Sequence, residues 1–189
     1  VVLELQGRKL SDFLLQKSGI TWDSLEINKA FEFEPNLETI ELFKKLSYDR
    51  LPFAKEEKDI HVLLKKLNLL NPSLLPTNAA VLLFDKNPQR LFSQAVVKIG
   101  RFINEADIVS SDIVDGNLFQ QAENTLAILK TKYLLSTISY EGTHRREQLV
   151  YPYNALREAI FNAIIHRDYN TTSAIQIKIY NNHLSIANE

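Results

Sequence analysis

The stretch "ALREAIFNAIIHRDY", residues 155–169, decides how the rest of the chain is read. At about 100° per residue, Glu158, Asn162 and His166 fall within an arc of roughly 80°. Leu156, Ile160, Phe161, Ile164 and Ile165 cover the remaining faces, so the stretch is expected to be a helix packed on those faces. The polar stripe should then look into a cleft, because a carboxylate and an amide buried without partners would together cost several kcal/mol. Ala155 lies inside the same arc and Ala159 beside it, and side chains this small leave room for a ligand to come close.

A carboxylate and an amide one helical turn apart offer a general base beside a neutral oxygen ligand for a hard cation. Magnesium takes only one or two protein oxygens and fills its other positions with water and phosphate. Glu158 could orient a water while Asn162 holds the metal. The spacing alone fits a second reading, in which Asn162 is a satisfied core amide and Glu158 pairs with Arg157 or Arg167.

After this helix, "SAIQIKIYNNHLSIAN" reads as alternation, turn, alternation: a hairpin around Asn181 and Asn182. Before it lie "NLFQQAENTLAILKTKYLLS", a long amphipathic helix, and "EGTHRREQ", a charged loop. "TNAAVLLF" and "QAVVKIGRF" are apolar runs of strand length, the second rich in β-branched residues. Earlier still, "KEEKDIHVLLKKLNLL" is a helix with Ile60, Leu63, Leu64 and Leu67 on one face. "EPNLETIELFKKLSYDR" is another, capped by Asn36, and "GRKLSDFLLQKSG" a third, with Gly19 as its stop. "VVLEL" opens the chain as a short β-type run. The fold class is therefore α+β, with a helical first part to about residue 75 and then a two-layer sheet-and-helix domain ending in helix and hairpin. Pro72 and Pro76 flank the expected boundary.

Composition narrows the functions. Lys plus Arg number 22 against 23 Asp plus Glu, so the net charge of −1 gives no overall footprint for nucleic acid or anionic membrane, and any such binding must be local. With no cysteine, disulfides, thiolate nucleophiles and cysteine metal sites are excluded. No apolar run approaches the roughly 20 residues that span a bilayer, and a cytoplasmic location without membrane partners is expected. The chain contains no methionine and is expected to start inside a longer gene product. His61, His144, His166 and His183 are scattered and form no zinc set. Arg145 and Arg146 in "THRRE" read as a solvated charge run, and Trp22 as core. No nucleophile elbow or Walker A sequence is present, so unwinding of the P-loop kind is not supported.

"REAIFNAIIHRDY" followed by "SAIQIKIYNNHLSIANE" resembles the N-box helix and following hairpin of the GHKL (Bergerat-fold) ATP-binding families. The version it most resembles is that of bacterial RecG-related proteins described as ATP-dependent DNA helicases or transcriptional regulators. "TNAAVLLFDKNPQRLFSQAVVKIGRF", "DGNLFQQAENTLAILKTKY" and "YPYNALREAI" resemble the segments before that helix. "LELQGRKLSDFLLQKSGITWD" resembles the tail of the Schlafen-type AlbA-like domain in front of it. The resemblance implies an AlbA-like tail over residues 1–24, a small helical linking domain over 25–75, and an α/β domain with a partial GHKL-like module over 76–189.

The resemblance also implies roles. Glu158 would act as general base or orient water, Asn162 would bind magnesium on the phosphates of ATP, and His166 and Arg167 would border the cofactor. The glycine-rich boxes that grip adenine and phosphate come after the hairpin in those families, whereas here none of the five glycines follows Gly142. Two functions are carried forward. In one, the chain is the middle of a multidomain DNA-transaction protein or transcriptional regulator, with part of a Mg–ATP site that could act as an ATPase in the whole protein and is expected to turn over little ATP alone. DNA would be bound through a domain outside this chain. In the other, the nucleotide site is vestigial and the region is an interaction or dimerisation platform, giving a homo-oligomer.

Overall fold

A computed structural model describes residues 6–27, 31–134, 137–141 and 144–188. The opening "VVLEL" run lies outside the described residues. The chain divides into compact units, Val1–Asp85 and Lys86–Glu189. With a four-stranded mixed sheet beside its helices, the fold is α+β.

The first unit is helical: α1 (Arg8–Ser18), α2 (Leu37–Leu46), α3 (Pro52–Glu56), α4 (Ile60–Lys66) and α5 (Asn78–Phe84). Local chemistry starts and stops these helices. Asn36 accepts from the Thr39 N–H at 3.0 Å, and Asp59 accepts from His61 and Val62 N–H at 2.8 and 3.2 Å. Gly19 follows α1 at φ +70°, the left-handed stop that a side chain would resist. Ile40, Leu63, Leu64, Val81 and Phe84 are fully buried, with Phe84 edge-on to Phe43 at 5.5 Å.

"TNAAVLLF" is α5, not the expected strand. Thr77 accepts from the Ala80 N–H at 3.1 Å and caps a turn of asparagine and alanines, and Ala80, Val81 and Phe84 then share a buried face at helical spacing. This helix is bound into the first unit. Asn78 N–H donates to Leu25 O at 2.9 Å, Asn36 N–H to Phe84 O at 2.6 Å, and Glu34 N–H to the Asp85 carboxylate at 3.0 Å. The first unit thus runs on past Pro76 to Asp85.

In the second unit the sheet order is β2 (Ile108–Val114), β1 (Val97–Phe102), β5 (Ile175–Ile179), β6 (Leu184–Ala187). β1 and β5 are parallel and the outer pairs antiparallel. Their connection carries α6 (Leu118–Ile128), its π-helical extension Leu129–Tyr133, the two-stranded ribbon β3 (Thr137–Glu141) and β4 (His144–Gln148), and α7 (Tyr153–Ile165). "EGTHRREQ", expected as a loop, instead holds the last residue of β3 and all of β4.

One face of the sheet (Val97, Ile99, Ile175, Ile177, Ile179) is buried in a common core with Leu126 and Leu129 beside α7's Leu156, Ile160 and Ile164. α6 starts with a capping box between Asn117 and Gln120. Its π-helical end is pinned to β2, where Lys132 and Tyr133 both donate to Asp112, at 2.6 and 2.5 Å. Lys132 first and Tyr133 second hold the Asp112 carboxyl below its usual range, while burial and then Asp112 push the Tyr133 hydroxyl up.

Candidate functional site

α7 is rich in good helix formers and buries Leu156, Ile160, Ala163 and Ile164, the i, i+4, i+7, i+8 pattern of one packed face. Glu158 and Asn162 stand on the other side. Asn162 Nδ2 donates to Glu158 Oε1 at 3.1 Å. A carboxylate can only accept, so the amide must turn its NH₂ toward Glu158, and Asn162 Oδ1 faces away. Glu158, Asn162 and His166 are all exposed, as are Ala155 and Ala159.

The stripe is therefore open, in contrast to the expected cleft. The packed arc of α7 is narrower than its apolar content implied: Ile165 is 65% exposed, and Phe161 is half-buried with the Arg157 guanidinium 4.4 Å from its ring centroid. Arg157 is thus occupied by an aromatic ring. Among the described residues Glu158 has no ion pair, and Asn162 is not a core amide, so neither half of the alternative reading describes the site.

His166 and Arg167 part company. His166 is the C-cap residue of α7, its N–H donating to Asn162 O at 3.0 Å and its side chain exposed. Arg167 turns inward and is 5% exposed; its Nε and Nη2 donate to Ser173 O at 3.2 and 2.7 Å, and its guanidinium lies 4.6 Å from the Tyr169 ring centroid. Arg167→Ala is expected to destabilise the second unit by about 1–3 kcal/mol, by stranding the Ser173 carbonyl and baring the Tyr169 ring. Thermal unfolding at neutral pH checks this, and an unchanged midpoint would show that the guanidinium carries no structural role.

Tyr169 and Asn188 brace the same helix end. The Tyr169 hydroxyl donates to Ile164 O at 2.8 Å, and Asn188 Nδ2 donates to Ala163 O at 3.0 Å. Both satisfy carbonyls that the last helical turn leaves open. Burial is the main cause that pushes the Tyr169 hydroxyl up to about 12. An aromatic placed just past a helix end was the only sequence signal for this brace.

No group of three or more His, Asp or Glu side chains able to hold a metal occurs among the described residues. A magnesium carried on phosphates asks for less, and the outward Asn162 Oδ1 is an oxygen donor of the right hardness. No helix among the described residues is long and apolar enough to cross a membrane.

Neither a family model nor a curated protein matches the chain. A solved structure, the DIP2311 protein from Corynebacterium diphtheriae, is similar in fold, with a TM-score of 0.60 at 16% identity. The similarity covers 92% of this chain and 34% of that one, so the chain spans about a third of that protein's length. At this identity the likeness concerns the fold alone.

Proposed function

We propose that the chain contributes part of a GHKL-type Mg–ATP site to a larger bacterial DNA-transaction protein or transcriptional regulator. One observation carries the reading: the Glu158–Asn162 hydrogen bond holds the amide so that Oδ1 points outward, one turn from a carboxylate, on a helix whose opposite face is locked to the sheet. In this reading Asn162 is the protein's oxygen ligand to magnesium, and Glu158 both orients that amide and offers its second oxygen to a water. Magnesium supplies charge neutralisation on the phosphates when bound. Exposed Ala155 and Ala159 leave the helix surface low enough for phosphate to approach. DNA would be engaged away from the α7 stripe.

The test is magnesium-dependent binding of a fluorescent ATP analogue to the full-length protein that carries this chain. Asn162→Ala is expected to abolish the magnesium dependence. Glu158→Ala, which removes the group orienting the ligand, is expected to weaken metal-dependent binding about 10–100-fold, the usual cost of losing an outer partner. Magnesium dependence that survives in a folded Asn162→Ala protein would sink the reading.

The openness of the stripe favours one alternative. Exposed polar side chains on a rigid helix also suit an interaction or dimerisation platform with a vestigial nucleotide site. A folded wild-type protein that binds no nucleotide but self-associates, with Glu158→Ala and Asn162→Ala weakening the association, would support that alternative.

A further inference from the structure

The sheet of the second unit buries one face under its helices and leaves the other open. On the open face, strand register sets Phe102 beside Tyr180, and the hairpin turn sets Tyr180 beside His183, with Tyr180 N–H donating to His183 O at 2.9 Å. The three rings form a ladder: Phe102 and Tyr180 are stacked at 5.5 Å, and Tyr180 and His183 at 4.4 Å with planes 14° apart. Gly100 makes this possible, because a Cβ there would sit 2.7 Å from Phe102 Cε2; the ring lies back over the position the glycine leaves bare. His183, at the end of the ladder, is exposed.

Beside the ladder, Lys98 and Lys178 alternate outward from β1 and β5, and neither makes an ion pair among the described residues. The Lys178 ammonium is 5.9 Å from the Phe102 ring centroid. The other outward positions in these strands, including Ser111, Ile113, Gln176, Ser185 and Ala187, are neutral. Asp112 points to the opposite face, toward Lys132 and Tyr133. Among the described strand residues, a chain of net charge −1 thus presents a sheet face with cations and no carboxylate.

We infer that this face binds single-stranded DNA. Stacked rings with an exposed end accept the flat face of an unpaired base, which a duplex keeps hidden, and lysines without counterions attract the phosphates that follow. A protein partner would need a complementary acidic patch and would use the rings only as apolar surface, whereas a base matches both their flat faces and the adjacent charge. Stacking and phosphate attraction require no 2′-hydroxyl, so DNA is the ligand named. The site is separate from the α7 stripe and does not depend on the nucleotide reading.

Fluorescence anisotropy of a labelled oligothymidylate against the 189-residue chain, titrated over a range of salt, tests the inference. Saturable binding that weakens with salt is expected. His183→Ala, which removes the ring at the open end of the ladder, should weaken it at least about fivefold, the lower end for one stacked base, and Tyr180→Ala should weaken it by removing the ring on which His183 stacks. The double variant Lys98→Gln, Lys178→Gln should lower the slope of log affinity against log salt by about 1.4, for two lost phosphate contacts on a single strand. His183→Ala removes only an exposed ring, so it weakens binding without touching the core even if Tyr180→Ala fails to fold. Absence of binding at low salt, equal binding in the His183 and lysine variants, equal affinity for a duplex, or tighter binding of the RNA equivalent would each overturn the inference.

Discussion

Ile160→Ala is expected to lower the stability of the second unit by about 2–5 kcal/mol, whereas Ile165→Ala, the same truncation on the same helix, should change it by less than about 0.5 kcal/mol. Ile160 is 1% exposed and sits in the core with Ile99, Ile175 and Ile177, so removing its branches leaves a cavity between α7 and the sheet that rigid strands cannot close. Ile165 is 65% exposed, and its removal exposes little that water does not already touch. Urea unfolding checks both, with the midpoint falling and the slope unchanged for Ile160→Ala. Equal costs would mean that α7 is rotated from the orientation that presents Glu158 and Asn162 outward. The pair of variants therefore tests the frame of the candidate site without requiring a ligand. A total stability of about 5–15 kcal/mol makes the larger cost a substantial share of what a domain has.

The same two isoleucines show what was legible in the sequence. The period of residues 155–169 places the helix and aligns Glu158 with Asn162, because a 3.6-residue repeat is a property of local backbone geometry. It treats Ile160 and Ile165 alike, because how wide an arc is covered depends on where the sheet stands. The cap at Asn36, the stop at Gly19 and the turn at Asn181–Asn182 are likewise local, and each is found in the structure. "TNAAVLLF" misled because an apolar run of that length suits a strand or a buried helix equally. The deciding group was Thr77, whose hydroxyl caps α5. β2 carries no clear strand signal because "IVSSDIV" interrupts its apolar residues with Ser110, Ser111 and Asp112. Asp112 is tolerated on the inner side only because Lys132 and Tyr133, far along the chain, donate to it. Arg167 shows the limit for the site: adjacency to the motif put it at the cofactor, and the carbonyl of Ser173 draws it inward.

The stability difference between wild type and Tyr169→Phe is expected to reverse sign as the solution is made strongly alkaline. Near neutral pH the variant loses the hydrogen bond to Ile164 O and should be less stable by about 0.5–1.5 kcal/mol. Burial pushes the folded Tyr169 hydroxyl up to about 12 from its ordinary 10.0, because a phenolate there would lose its water. Below about pH 10 both folded and unfolded chains keep the proton, and the full contribution of the neutral phenol is present. Above it the unfolded chain releases the proton first, so unfolding is favoured progressively until the folded hydroxyl itself ionises near 12. A shift of about two pH units is worth about 3 kcal/mol, more than the hydrogen bond that phenylalanine lacks. Wild type should therefore cross below the variant within that window. Every other titratable group is common to the two proteins, so the difference between the two unfolding curves isolates Tyr169. A constant gap from neutral to alkaline pH would place the hydroxyl in water. The latch that it forms on the last turn of α7, and with it the fixed approach from α7 to β5, would then be lost from the account of how Asn162 is held.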